Sequence, residues 1–385
     1  MNIAFVLLIL SLQGISVKAL PEISTTTSDR LPHMPQLDGL RAIAVAAVLI
    51  HHYIQGGWGL GANLGVKLFF VLSGFLITSI LIRSRNLVKA QGGSKGFALR
   101  HFYIRRFLRI FPLYYFVVAI GLLINLEPAR EYMVWLLTYT LNIRMSYQGW
   151  FIDHFAHFWT LAVEEQFYLF WPWFVLFIPR KWLIHVAICM ILTGPLYRLY
   201  HVLGWVFFES DAGGLRTYIF TLTCFDTLGM GSLLALVMHL DHPKERISKL
   251  IYRIALPVSL GGVSLLIFAR FIVDDWVASL VFGDVFVALF FCWLVSSAAT
   301  GFRGSFGAIL QTKPMRYLGK ISYGLYVYHP FMPLLVALVF AKLGWTYEEY
   351  AWTSIVLATL STLAISSLSW YLMERPVNAL KRYFV

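Results

Sequence analysis

The chain has 385 residues, of which 59% are hydrophobic and only 13% charged. A soluble domain carries about twice that charged share, so a water-soluble enzyme or binding module is excluded. The net charge of +12 needs no nucleic-acid partner, because membrane proteins gather Lys and Arg in their cytoplasmic loops. Cys189, Cys224 and Cys292 stand in or beside apolar runs at no ligand spacing. They mark neither a disulfide framework nor a metal site.

The apolar residues fall in blocks long enough to cross about 30 Å of hydrocarbon as helix. In chain order, spans are expected near 40–56, 64–82, 107–126, 160–178, 182–200, 217–239, 251–272, 276–298, 321–343 and 349–372. The pattern predicts an all-α, polytopic transmembrane helical bundle of about ten spanning helices. Segment 131–143 is apolar but too short to span, and reads as re-entrant or interfacial.

The loop 83–109 sets the orientation. It holds Arg83, Arg85, Lys89, Lys95, Arg100, Arg105, Arg106 and Arg109, and so many cations in a short loop face the cytoplasm. Alternating sides from there puts 18–41, 179–182, 240–253, 300–320 and 374–385 on the same side, and most of the Lys and Arg fall in these loops. The expectation is a multi-pass protein of the plasma (inner) membrane, with both ends of the core cytoplasmic. Residues 1–33 stand apart from the transmembrane domain, 34–385. An apolar stretch at 3–17 has no positive charge before it. A cleaved signal, an extra helix and a true start at Met34 all remain open for it.

Polar groups inside spans are expensive and are functional candidates. Arg41 and His52 lie eleven residues apart, about 16 Å of rise and almost three helical turns. They are expected on one side of the first helix, with His52 deeper and suited to act as a general base. Ser73-Gly74 reads as a close-packing patch. Arg105, Arg106 and Arg109 share faces at i, i+3 and i, i+4, and guanidinium groups grip phosphate in a bidentate way. His157, Glu164 and Glu165 open another span on the outer side, where they are expected to face His52 or an acceptor. Ser322, Tyr323 and His329 stand early in a span that Pro330 kinks. Glu374 reads as a partner for Arg375 or a neighbouring helix.

Seven ordered pieces carry a resemblance: LDGLRAIAV with a following His, GVKLFFVLSGFLIT, RRFLRIFPLYY, HFWTLAVEEQFYLFWP, FDTLGMGSLLA, LGKISYGLYVYHP and a final ERP. From Met34 to Pro376 the chain resembles the acyltransferase 3 family of membrane O-acyltransferases. Arg41 and His52 match the family's Arg–His pair in the first helix. Arg105, Arg106 and Arg109 match its basic cluster. Lys67 departs from the pattern, which has an acid there. The stand-alone form is expected, without the C-terminal esterase-like domain that many members carry.

The resemblance implies that acyl-CoA, most often acetyl-CoA, is a cytoplasmic co-substrate, with no permanently bound cofactor. The acceptor would be a hydroxyl of an extracytoplasmic or lipid-linked glycan. Arg105, Arg106 and Arg109 would hold the donor's phosphates, and Arg41 would line the route inward. His52 would be the base or carry the acyl group, and Glu164 or Glu165 would orient it or bind acceptor. Tyr323, with Ser322, His157 and His329 nearby, would serve the oxyanion or the substrate. Segments 127–159 and 201–216 are the expected acceptor contacts. The rival readings are a proton-coupled transporter and a structural membrane protein.

Overall fold

The computed structural model describes residues 34–55, 60–148, 154–208, 216–239, 244–272 and 277–384. The expectations for 1–33 lie outside these residues, as do 149–153 and 209–215 of the expected acceptor contacts. Among the described residues there is no strand.

Among the described residues, helix covers most of each expected span, except that 217–239 is interrupted between Ile219 and Phe225. The principal helices are α1 (Pro35–Ile50), α2 (Leu60–Gln91), α3 (Lys95–Leu123), α4 (Phe158–Phe177) and α5 (Arg180–Phe208). They continue with α6 (Phe225–Met238), α7 (Lys244–Ile272), α8 (Val277–Thr300), α9 (Ser322–Leu343) and α10 (Trp352–Ser369). Eight of them are long and apolar enough to cross a membrane. The exceptions are α4, which carries Glu164, Glu165 and Gln166 in its first half, and α6, which has 14 residues.

The chain is thus a polytopic helical membrane bundle. Its centre is α2, with 78% of its most apolar window buried, against 6% for α7 at the periphery. Leu196, Leu265, Leu338 and Leu360 are more than half exposed, which suits contact with lipid tails.

Small residues set the helix crossings. A Cβ on Gly74 would overlap the Leu228 carbonyl, and one on Gly231 would overlap the Val71 carbonyl. The backbones of α2 and α6 therefore touch at these two glycines. Arg85 terminates α4, its Nη1 donating to the carbonyls of Val175 and Ile178, both at 2.7 Å. Those carbonyls would otherwise be orphaned at a helix end.

Segment 131–143 is not a single helix. It breaks between Met133–Leu137 and Leu141–Gln148, with Tyr139 at φ 53°. Tyr114 and Tyr115 on α3 donate to the carbonyls of Leu136 and Leu137, both at 2.8 Å. Two hydroxyls thus take up the carbonyls that a longer helix would have used.

Helices Gly304–Leu310 and Lys313–Lys320 wrap the start of α1. Gln36 Nε2 donates to the Phe302 carbonyl at 3.1 Å, and the Phe302 N–H returns a bond to Gln36 Oε1 at 2.7 Å. Gly39 and Gly319 let these backbones meet without a Cβ between them.

Candidate active site

Helices α1, α2, α3, α4 and α9 enclose a cavity with about 840 Å³ of empty volume, counting its open mouth. The polar lining comprises Arg41, Arg106 and Arg109 on one hand and Ser73, Glu164 and Glu165 on the other. Phe69, Phe70, Val66 and Ile77 supply an apolar wall.

The arginine cluster divides by helical register. Arg106 and the exposed Arg109 line the cavity, whereas Arg105, also exposed, does not. The i, i+3 pair faces inward, not the i, i+4 pair. Arg106 also stacks over the rings of Phe102 and Tyr168, 5.7 and 5.4 Å from their centres. Arg41 Nη1 reaches Asp38 Oδ1 at 3.2 Å.

Ser73 Oγ donates to Glu164 Oε1 at 2.5 Å, and Tyr168 Oη donates to Ser73 Oγ at 3.0 Å. Glu165 Oε1 is buried with no hydrogen-bond partner. Both carboxylates face the arginine side of the molecule, which corrects the expectation that one of them orients His52. Ser73, read from sequence only as packing, is part of the site. Gly74 beside it does the packing.

Ser322 and Tyr323 also line the cavity, but their protons are committed. Ser322 Oγ donates to the Gly319 carbonyl at 2.9 Å and Tyr323 Oη to the Ile110 carbonyl at 2.8 Å. An oxyanion role would need those protons, so the guanidinium groups are the strong donors that the cavity supplies.

His52 does not line the cavity. After Ile50 the helix widens into a π turn, His51–Gln55, and the 3.6-residue register that would align His52 with Arg41 no longer holds. His52 Nδ1 is 2.7 Å from His329 Nε2. His157 packs on the same group, its ring 5.2 Å from that of His329. Its Nε2 faces the Val327 carbonyl at 3.2 Å. His157, His329 and His52 therefore form one cluster, separate from the two glutamates.

Tyr326 and Thr160 divide cluster from cavity. Both line the cavity. Thr160 Oγ1 and Tyr326 Oη lie 2.6 Å apart, and both are within reach of the His157 carbonyl, at 3.0 and 3.1 Å, so one hydroxyl donates to that carbonyl and the other to its neighbour. The Tyr326 ring then sits 5.6 Å from that of His329.

A second set of buried charges showed in the sequence reading only through Lys67. Lys67 Nζ pairs with Asp284 Oδ2 at 2.5 Å, and Arg198 bridges Asp284 at 3.0 Å to Asp226. The Arg198 and Asp226 side chains are 1% and 0% exposed. Each is a lone charge in an apolar run, a signal sufficient to single them out. Two cations balance two anions, so Lys67 answers Asp284, whatever stands there in other chains. Glu374 is also buried. It accepts from Ser369 Oγ at 3.2 Å and abuts Gly324 on α9, so its neighbour is a helix and not Arg375.

Helices with lipid-facing surfaces around an arginine- and glutamate-lined cavity define an integral membrane protein with a polar intramembrane site. Residues 34–373 match the Acyltransferase domain family, acyltransferase 3, and the chain belongs to that family. It is 30% identical over 390 residues to the peptidoglycan O-acetyltransferase OatA of Listeria monocytogenes, covering 93% of this chain and 58% of that one. It is 28% identical over 367 residues to the O-acetyltransferase OatA of Staphylococcus aureus, covering 90% and 57%. It is also 28% identical over 383 residues to the putative peptidoglycan O-acetyltransferase YrhL of Bacillus subtilis, covering 90% and 55%. The chain thus spans a little over half the length of these relatives. No solved structure matches it.

Proposed function

We propose that the protein is a membrane O-acyltransferase. It moves an acyl group, most often acetyl, from cytoplasmic acyl-CoA to a hydroxyl of an extracytoplasmic or lipid-linked glycan. Peptidoglycan is the acceptor of first choice, because it is in the names of the relatives from Listeria and Bacillus. The observation that carries the reading is the cavity in which Arg41, Arg106 and Arg109 converge. A polyanionic donor suits such a set of guanidinium groups, and a cytoplasmic donor would put the cavity mouth on the cytoplasmic side.

The chemistry follows from the two compartments. Arg106 and Arg109 hold the donor's phosphates. A pantetheine arm of about a dozen bonds spans roughly 15 Å at the per-bond rise of an extended chain. The thioester then meets His52 once the Tyr326 ring leaves Thr160. His52 takes the proton of the acceptor hydroxyl, whose oxygen attacks the thioester carbonyl. The C–O bond forms, the C–S bond breaks, and the CoA thiolate leaves and is protonated. Glu164, held by Ser73, and Glu165 shape the field around the arginines.

The test is free-thiol release from acetyl-CoA by detergent-purified protein, with and without a muropeptide or other glycan acceptor. Acceptor-dependent release with acylated product is the expected result. No release, with solute counterflow in proteoliposomes instead, would establish the transporter reading.

A further inference from the structure

We infer that His329 is the positioning residue for His52, fixing both its ring plane and the nitrogen that bears its lone pair. The inference rests on the reading of His52 as the base, and it moves His329 from a substrate- or oxyanion-binding role to an orienting one.

The argument starts from two prolines. In an α-helix each N–H bonds the carbonyl four residues earlier, and proline has no N–H. Pro330 therefore frees the carbonyl of Tyr326, and Pro333 removes the α-helical donor of His329, whose carbonyl takes the Met332 N–H instead. A carbonyl buried among apolar helices needs a substitute donor. Both find one. His329 Nδ1 lies 2.7 Å from the Tyr326 carbonyl, and Tyr53 Oη donates to the His329 carbonyl at 2.8 Å. The 3-10 turn His329–Phe331 is thus held by the His329 ring on the carbonyl that Pro330 frees and by Tyr53 on the carbonyl that Met332 also bonds.

A carbonyl can only accept, so His329 Nδ1 must carry a proton. In the neutral ring Nε2 is then an acceptor. It faces His52 Nδ1 at 2.7 Å, with the two ring planes 5° apart. His52 must therefore donate from Nδ1, which leaves its basic lone pair on Nε2. When His52 takes up a proton at Nε2, Nδ1–H still bonds His329, now as a charge-assisted bond. His329 is fully buried, so its acceptor has little water to compete with. Tyr53 belongs to the same π turn as His52, so that turn grips the His329 segment through two side chains.

Two measurements test this. The first needs no activity, and so separates this inference from the function itself. In protein labelled with 15N-histidine, the His52 signal, assigned by its loss in His52→Gln, is expected to report protonated Nδ1 and bare Nε2. In His329→Leu that preference is expected to vanish. A His52 protonated at Nε2 and bare at Nδ1 in the wild type would overturn the assignment.

The second is kinetic. His329→Leu should lower acyl-transfer turnover about a hundredfold while the KM for acetyl-CoA stays within about threefold, as removal of an orienting partner does. His329→Gln keeps an acceptor near His52 and should recover about a tenth of wild-type turnover or more. Tyr53→Phe, which leaves the ring pair intact, should cost several-fold. Equal losses in the Leu and Gln variants at unchanged thermal stability would overturn the proposal. So would full turnover in His329→Leu.

Discussion

Ser73 Oγ donates a 2.5 Å hydrogen bond to Glu164 Oε1, and that single bond ties the central helix α2 to α4 in the wall of the cavity. Glu164 stands six residues into α4, where no helix-end N–H group is near to satisfy a carboxylate. Leaving such an acceptor unpaired costs about 1–3 kcal/mol. Ser73→Ala is therefore expected to lower acetyl-CoA turnover about tenfold, and Ser73→Thr to retain most of it. Thiol release checks both. Wild-type turnover in Ser73→Ala would remove the bond from the mechanism.

The register of α3 distinguishes its arginines. Arg106→Lys keeps the charge but loses the bidentate fork and its stacking on Tyr168, and should raise the KM for acyl-CoA about tenfold. Arg105→Ala, at an exposed position, should change it less than about twofold. Steady-state kinetics over a range of acetyl-CoA concentrations reads the difference, and the reverse order would contradict the inward-facing pair.

Thr160 holds Tyr326 across the partition between cavity and histidines. Thr160→Val keeps the shape and removes the hydroxyl. The loosened Tyr326 ring should admit water to the thioester, raising acceptor-independent acetyl-CoA hydrolysis several-fold relative to transfer. Mass spectrometry of the acylated glycan beside thiol release gives the ratio, and an unchanged ratio would argue against a moving partition.

The glycines at the α2–α6 crossing permit a stability test away from the cavity. Gly231→Ala would drive a methyl group onto the Val71 carbonyl and to 2.9 Å from the Phe75 nitrogen. Overpacking of this kind costs about 1–3 kcal/mol. Gly231→Ala and Gly74→Ala should each lower the thermal midpoint in detergent, whereas Gly283→Ala, which meets nothing within 4 Å, should not.

The buried charges on α2, α5, α6 and α8 behave as a unit. Arg198→Met strips Asp226 of its guanidinium, and an uncompensated buried charge costs about 3–5 kcal/mol. The double variant Arg198→Met, Asp226→Leu removes both signs, and is expected to be more stable than Arg198→Met alone. A thermal double-variant cycle measures the coupling. Strict additivity would show that the pair contributes little.

Much of this protein was legible in its sequence because a bilayer is a simple solvent. Apolar blocks had to be helices, since lipid offers no partner for backbone polar groups. The spacing of Arg106 and Arg109 put them on one helical face, and the apolar run around Glu164 and Glu165 marked those acids as exceptional. The short 131–143 segment was excluded as a span by length alone.

What sequence could not settle was which of these groups meet. Arg41 and His52 share a helix, yet Arg41 lines the cavity while His52, in the π turn, pairs with His329 instead. Glu164 and His157 share a run of eight residues, but one lines the cavity and the other joins the histidine cluster. His52 meets His329 across 277 positions of chain, and Lys67 meets Asp284 across more than 200. Local periodicity determines which face of its own helix a residue occupies. Only the packing of one helix on another, set here by glycine crossings and proline-freed carbonyls, decides what that face touches.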